Sequence, residues 1–179
     1  MIDKGNKIRN EGARISHDIG ELNGEKVMEN ILCKGCEVLQ HRLPNKAPGG
    51  NGQLDGIRLK EDGTVVMAEY KGGESPLGTR LHNEMSYEQA TPGNVVLVVQ
   101  EYIKYASGDA IKHLPKNERD EIKKTVRKVE FAIENDMVEF HVIRQRFTQD
   151  DQLGNTVITP TDMSDISKVK GTLFPELKD

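Results

Sequence analysis

The stretch "QLDGIRLKEDGTVVMAEYKGG", residues 53–73, decides the fold because it predicts a β-hairpin. Its centre, "KEDGT" (60–64), suits a three-residue loop in which Gly63 takes a left-handed conformation. Counting outward from this loop along both strands places Asp55 directly opposite Glu69. A two-residue turn would shift the register and move Asp55 to the other face of the hairpin. The predicted site therefore depends on the type of turn.

One face of this hairpin changes from apolar to charged along its length. Its apolar members are Ile57, Leu59, Val65 and Met67. Asp55 and Glu69 continue the same face, and Lys71 follows two residues after Glu69. Facing carboxylates on adjacent strands repel each other, and partial burial makes their charged forms costlier. Either one of them holds a proton or a positive charge lies between them.

A divalent cation at this position would explain the charged end of the hairpin. Carboxylate oxygens suit a hard cation such as Mg²⁺, which keeps several waters and accepts phosphate oxygens. A lysine beside the cation can orient or deprotonate an attacking water, or neutralise charge on a phosphate. The alternative is a simple Glu69–Lys71 pair, with Asp55 keeping an edge strand soluble.

The rest of the chain supplies helices and further strands. The predicted elements are a helix over 14–33, a strand over 36–43, a loop over 44–53, a polar segment without regular pattern over 72–90, a helix capped by Thr91 with Pro92 at its first position, a helix capped by Asn117, a strand over 137–147 and a last strand near 155–159 followed by a polar tail. The apolar run after Pro92 suits a strand equally well. This order indicates an α/β fold with a central mixed β-sheet flanked by helices. Residues 1–13 have a linker-like composition, and residues 14–179 are expected to form a single domain.

Composition predicts a water-soluble globular protein. Of the 179 residues, 35% are hydrophobic and 30% are charged. No apolar run reaches the ~18 residues of a membrane span, and the N-terminus lacks the apolar region of a signal peptide. The net charge of −4 counts against a general affinity for nucleic acids, although a local basic face or a bound metal can supply the attraction.

One basic surface is a candidate for such a contact. Lys123, Lys124, Arg127 and Lys128 lie on two neighbouring rows of the helix predicted after Asn117. Acidic residues interleave with them, so that a solvated face of an amphipathic helix is the alternative interpretation.

The only two cysteines form the motif "CKGC", Cys33 to Cys36. We interpret them as two reduced structural cysteines, because the motif follows a helical pattern, whereas redox pairs usually begin a helix after a strand. A redox pair and half of a zinc site, with His41 as the nearest further ligand, are the alternatives.

The order of these motifs resembles the PD-(D/E)XK nuclease superfamily, which has the restriction-endonuclease-like fold. A helix with a glutamate precedes a strand and a hairpin carrying "LDGI" and "AEYK", which contain Asp55, Glu69 and Lys71. Leu54 replaces the usual proline before the aspartate. The stretches "GELNGEKVMENIL" and "GGNGQLDGI" are similar, more narrowly, to C-terminal nuclease toxin domains of bacterial polymorphic toxins. The likeness covers about residues 20–105.

This resemblance implies a restriction-endonuclease-like core and a specific set of site residues. Asp55 and Glu69 would hold Mg²⁺, or another divalent cation such as Mn²⁺ or Zn²⁺. Glu25 would complete the metal site from the helix, with Glu21 as the second choice, and Lys71 would position the water. Superfamily members often carry one further polar residue after the ExK strand. The candidates for it are Gln89 and Gln100.

The resemblance also implies a biological role. It predicts a metal-dependent endonuclease toxin, delivered or secreted as part of a larger protein in contact-dependent inhibition or type VI secretion. Such a toxin acts in the cytoplasm of the target bacterium, and a cognate immunity protein neutralises it. DNA is the preferred substrate, and tRNA or another RNA is the main rival. A housekeeping nuclease and a non-enzymatic binding module, such as an immunity protein, are the other interpretations.

Overall fold

A computed structural model of the chain describes residues 2–39, 54–150 and 152–174, with side chains from residue 10 onward. Its elements are α1 (Ile2–Val27), a π-helical turn (Met28–Leu32), β1 (Glu37–Val38), β2 (Gly56–Leu59), β3 (Val65–Gly72), β4 (Thr79–His82), β5 (Met85–Glu88), α2 (Pro92–Ser107), a 3-10 turn (Asp109–Ile111), α3 (Lys116–Glu134), β6 (Val138–Phe147), β7 (Leu153–Thr161) and α4 (Ile166–Leu173). The predicted loop over 44–53, the end of the strand predicted over 36–43, and His41 lie outside the described residues.

The main sheet has five strands in the order β1-β2-β3-β6-β7. β3 and β6 run parallel, and the other neighbouring pairs are antiparallel. The crossover from β3 to β6 contains α2 and α3, as a connection between parallel strands requires. β4 and β5 form a separate two-stranded hairpin. The predicted mixed α/β fold with a central mixed sheet flanked by helices is confirmed.

The two faces of the sheet pack against different helices. We call the face of Ile57, Val65 and Met67 the front face; it packs in a large core with α2, α3 and α4. We call the opposite face, which carries Val66 and Ala68, the back face. It packs in a smaller core with the end of α1. The sheet is therefore covered on both sides, and its central strands are buried on both faces.

The ambiguous segment after Pro92 is helical. The Thr91 hydroxyl caps the helix by accepting a hydrogen bond from the backbone N–H of Asn94 at 3.3 Å. The whole run 93–100 is buried, because α2 packs against α3, α4 and the β4–β5 hairpin as part of the front-face core. Burial on all sides explains why this helix lacks an amphipathic pattern. Among the described helices, none combines the length and apolar character needed to cross a membrane.

Several predicted boundaries are wrong. α1 begins at Ile2 rather than near residue 14, so the segment taken as linker-like is helical from its second residue. α3 begins at Lys116, with Pro115 rather than Asn117 at its N-cap. The hairpin β4–β5 and the helix α4 were both missed.

The interpretation of the cysteines as reduced is also wrong. Cys33 and Cys36 form a disulfide, with their Cα atoms 5.3 Å apart. Gly35, at a φ of +78°, turns the chain between them and allows this approach. The disulfide lies between the π-helical turn and β1.

Candidate functional site

The hairpin β2–β3 has the predicted three-residue turn. Lys60 donates its backbone N–H to the carbonyl of Thr64 at 2.9 Å, and Gly63 has a φ of +90°. Ladder pairing then runs from Leu59 opposite Val65 to the pair that precedes the site, Gly56 opposite Ala68. Asp55 lies immediately before this first ladder pair, and Glu69 immediately after it on β3.

β3 continues beyond the point where β2 begins. At this end of the hairpin, the last backbone hydrogen bond runs from the N–H of Asp55 to the carbonyl of Ala68, at 3.2 Å. The Asp55 carboxylate then accepts the backbone N–H of Tyr70 through Oδ2 at 2.7 Å. The side chain thus replaces the carbonyl that a longer β2 would supply, and satisfies an otherwise unpaired donor. This bond fixes Asp55 against β3.

Glu69, Lys71 and Gln89 form a hydrogen-bonded triangle beside Asp55. The Lys71 ammonium lies 2.8 Å from Glu69 Oε1 and donates to Gln89 Oε1 at 3.0 Å. Gln89 Nε2 donates to the same Glu69 oxygen at 2.6 Å. The Glu69 side chain is 7% exposed and that of Lys71 is 15% exposed, so this ion pair is shielded from water. The two charged groups of the motif are held in one orientation.

Burial makes the ionised forms of the Asp55 and Glu69 carboxyl groups unfavourable, and the positive charge of Lys71 offsets this only in part. Burial, followed by the charge of Glu69, raises the pKa of Asp55 to about 7, against the lowering effects of the Tyr70 amide and of Lys71. Burial also raises the pKa of Glu69, and Lys71 and Gln89 oppose that rise. Each carboxyl is therefore harder to ionise than in water. A bound cation would favour the ionised forms of both.

Gln89 connects the site to the base of the β4–β5 hairpin. Its Oε1 accepts the N–H of Gly78 at 2.6 Å, and its own N–H donates to the Gly78 carbonyl at 2.7 Å. Arg144 of β6, which the sequence analysis did not select, holds the preceding segment by donating to the carbonyls of Gly73 and Ser75. The segment 73–78 is thus held at its start by Arg144 and at its end by Gln89. The alternation of β6 was the only sequence signal for Arg144.

Helix α1 crosses the end of β3 at very short range. A Cβ at Gly20 would lie 2.6 Å from the backbone nitrogen of Gly72, so only glycine permits this approach. His17 and Glu21 lie on one row of the helix, beside this crossing point, with His17 Nε2 3.7 Å from Glu21 Oε1. The charge of Glu21 is among the influences that raise the pKa of Asp55. The second-choice helix glutamate is thus electrostatically coupled to the site.

The first-choice helix glutamate is engaged elsewhere. Glu25 forms an ion pair with Arg58 and accepts a hydrogen bond from the Tyr70 hydroxyl at 2.9 Å. Arg58 and Tyr70 project from the back face, because they alternate with Ile57 and Glu69. The structure therefore does not bring Glu25 to the carboxylates of the front face. The preceding residue, Gly24, likewise lies against Tyr70 on the back face.

The remaining candidates divide between the site and other surfaces. Gln100 is buried on α2 and lines a separate cavity with Arg80, Glu101 and Phe174. The structure thus brings Gln89, and not Gln100, to the motif.

The basic residues of α3 lie toward the turn of the hairpin. Lys124 and Lys128 lie 3.4 and 2.6 Å from Glu37, whose strand partner is Leu59, near the turn. Lys123 and Arg127 are exposed on the same helix. This surface is thus separated from Asp55 by the length of β2.

The donor set at the site fits a hard divalent cation held by few protein ligands. Among the described residues, no group of three or more His, Cys, Asp or Glu side chains is arranged to hold a metal. Asp55 and Glu69 nevertheless supply two buried carboxyl groups that interact electrostatically. Mg²⁺ is usually bound through one or two carboxylates, with waters and substrate phosphates completing its shell.

Comparison of this chain with models of protein families, with curated proteins and with solved structures gives no match.

Proposed function

We propose that this chain is a metal-dependent nuclease with a restriction-endonuclease-like core. The observation that carries the proposal is the burial of Asp55 within electrostatic reach of Glu69 at the start of β2, with the Lys71 ammonium 2.8 Å from Glu69. Two features support the assignment of the core. If the separate β4–β5 hairpin is set aside, α1, the strands β1–β3, the helices α2 and α3 and the strand β6 follow one another in the chain, and β3 pairs parallel with β6. The proposal does not include Glu25 in the metal site.

Asp55 and the triangle of Glu69, Lys71 and Gln89 have different roles in the proposed phosphodiester hydrolysis. Asp55 and Glu69 would hold the cation, which when bound supplies a Lewis acid for the phosphate oxygens. The Lys71 ammonium donates hydrogen bonds that orient the attacking water toward phosphorus. Gln89 keeps Lys71 and Glu69 in this arrangement through its two bonds. Water adds its oxygen to phosphorus and loses a proton, while the bond to one sugar oxygen breaks and that oxygen gains a proton.

The substrate and the biological setting are further parts of the proposal. DNA is the preferred substrate, with tRNA or another RNA as the rival. The setting is that of an interbacterial toxin, delivered as part of a larger protein to the cytoplasm of a target cell and neutralised by an immunity protein. The support for this setting is the likeness of "GELNGEKVMENIL" and "GGNGQLDGI" to polymorphic-toxin nuclease domains.

A cleavage assay tests the proposal directly. Purified protein is incubated with plasmid DNA and, separately, with total tRNA, each with Mg²⁺ or with EDTA. We expect cleavage of DNA in Mg²⁺ alone, and a loss of about a hundredfold or more in the Asp55→Ala and Lys71→Ala variants. Glu61→Gln, an exposed carboxylate in the turn of the same hairpin, is the matched control and should retain full activity.

The outcomes separate the competing functions. Cleavage of tRNA but not of plasmid would keep the mechanism and change the substrate. Cleavage that persists in EDTA or in either alanine variant would refute the mechanism. Failure of the wild-type protein to cut either polymer would favour a binding module.

A further inference from the structure

We propose that Cys33 and Cys36 form a thiol–disulfide exchange site, open to a low-molecular-weight thiol. The inference does not depend on the proposed nuclease activity. It starts from the one sequence motif that the nuclease site does not use, the "CKGC" segment. The disulfide that joins these cysteines lies on the far side of β2 from the acidic site, between the π-helical turn and β1.

The two sulfurs differ in their access to solvent. Cys33 is 3% exposed and belongs to the core of the back face, whereas Cys36 is half-buried at the edge of that core. Thiol–disulfide exchange requires in-line access of the attacking thiolate to one sulfur. The difference in burial makes Cys36 the sulfur that an incoming thiolate reaches.

A cleft beside the disulfide provides the space for such an attack. It has a volume of about 420 Å³ and opens between the segment Leu32–Cys36 and the turn residues Lys60, Glu61 and Asp62 of the β2–β3 hairpin. The lining carries both cationic and acidic groups, so the cleft does not select reductants strongly by charge. Its size accommodates a small thiol such as dithiothreitol or glutathione.

The disulfide is poorly placed to act chiefly as a stabilising cross-link. Its cysteines are only 3 residues apart in the sequence, so it closes a very short loop. Loss of a cross-link of this length is expected to lower the melting temperature of a chain of this size by only about 4–8 °C. The fold around it is held by other contacts. β1 pairs with β2, and Glu37 is bound by Lys124 and Lys128. Reduction can thus proceed without unfolding.

The exchange proceeds through a mixed disulfide. The thiolate of the reductant forms a bond with Cys36 Sγ, the Cys33–Cys36 bond breaks, and its electron pair leaves on Cys33 Sγ, which takes a proton. The second thiolate of a dithiol reductant then displaces Cys36, which also leaves as a thiol after protonation. The protein disulfide gains two electrons and two protons, and the dithiol is oxidised to a disulfide.

The test measures reduction of the folded protein and the reactivity of each cysteine alone. Wild-type protein is treated with millimolar dithiothreitol in native buffer, quenched with a maleimide and weighed by mass spectrometry, while circular dichroism follows the fold. We expect full reduction with an unchanged far-ultraviolet spectrum, and return of the disulfide in oxidised glutathione. Survival of the disulfide until urea is added, or failure to re-form, would overturn the proposal.

Single-cysteine variants test the predicted asymmetry. Cys33→Ser leaves Cys36, and Cys36→Ser leaves Cys33; each is reacted with an aromatic disulfide that releases a coloured thiolate. We expect Cys36 to react at least about tenfold faster than Cys33 in the folded proteins, because Cys33 is buried and Cys36 is only half-buried. Both should react at equal rates in urea, which controls for intrinsic reactivity. Equal rates in the folded proteins would overturn the assignment of Cys36 as the attacked sulfur.

Discussion

Replacing Asp55 by asparagine should stabilise the metal-free protein at alkaline pH. The carboxyl has an ordinary pKa of 3.8 in an unfolded chain, and burial together with the charge of Glu69 raises that pKa to about 7 in the fold. Between these values the folded protein holds a proton that the unfolded chain has lost, so the free energy of unfolding falls as the pH rises. Above about pH 7 the free energy of unfolding falls no further on account of this carboxyl. Asparagine cannot ionise, and it still accepts the N–H of Tyr70.

The size of the effect follows from the same pKa values. A rise from 3.8 to about 7 corresponds to about 4 kcal/mol between the charged and neutral forms of the carboxyl. About two of these pKa units lie above pH 5, so we expect the free energy of unfolding of Asp55→Asn, relative to wild type, to increase by about 3 kcal/mol between about pH 5 and about pH 8. Urea unfolding followed by circular dichroism at several pH values measures this difference. Asp120→Asn, an exposed carboxylate on α3, is the matched control.

Mg²⁺ should reduce the difference in stability between the two proteins at alkaline pH. A cation bound by Asp55 and Glu69 stabilises only the folded wild-type protein, by about 3 kcal/mol when its concentration is a hundred times the dissociation constant. The asparagine variant should gain little from Mg²⁺ and should not cleave nucleic acid. A relative stability that stays within about 1 kcal/mol over the whole pH range would refute the electrostatic reasoning. An equal gain from Mg²⁺ in both proteins would refute the assignment of Asp55 as a ligand.

Three further substitutions test the elements around the site. Glu25→Gln should lower the free energy of unfolding in urea by about 2 kcal/mol, because Arg58 stays buried with a weaker partner. The variant should still bind Mg²⁺. Loss of Mg²⁺ binding would show that Glu25 belongs to the metal site. Gly20→Ala should lower the free energy of unfolding, measured by thermal unfolding, by about 1–3 kcal/mol, because the added methyl group would collide with the backbone of Gly72. An unchanged melting temperature would contradict the close crossing of α1 and β3. Gln89→Ala should lower the cleavage rate about tenfold with little change in KM, because Lys71 loses a hydrogen-bond partner while no substrate contact is removed. A change in KM alone would contradict the positioning role of Gln89.

The sequence was sufficient for the parts of the fold that depend on local rules. A glycine at the third loop position specified the turn of the β2–β3 hairpin, and the turn specified which strand positions face each other. The mixed sheet followed from the order of elements. The cap formed by Thr91 and Pro92 marked the start of α2 correctly, even though its apolar run was ambiguous.

The position of the helix relative to the sheet was not available from local rules. His17, Glu21 and Glu25 share one row of α1, and the crossing point at Gly20 decides which of them lies near the acidic pair. Gly20 and Gly24 both lie within the helix predicted over 14–33, where glycine is unfavourable. Their spacing of four residues was the signal of a close approach to another element.

The elements that were missed lack an internal pattern of burial. The strands β4 and β5 are mostly exposed on both faces, so the alternation that identifies a half-buried strand is absent. The helix α4 is short, and it buries only two residues, Ile166 and Lys170. Elements of this kind are specified by tertiary contacts that a single sequence does not reveal.

The bond between Asp55 and the end of β3 has a consequence for coordination chemistry. Asp55 Oδ2 is committed to the amide of Tyr70, and Glu69 Oε1 is committed to Lys71 and Gln89. Each carboxylate therefore has one oxygen held by the protein, so a bound ion would take the other, Oδ1 of Asp55 or Oε2 of Glu69. An octahedral ion bound by one oxygen from each side chain would keep four positions for solvent and reactant. Under the proposed function, such an ion would be loosely chelated and would exchange readily, and the substrate would complete its coordination shell.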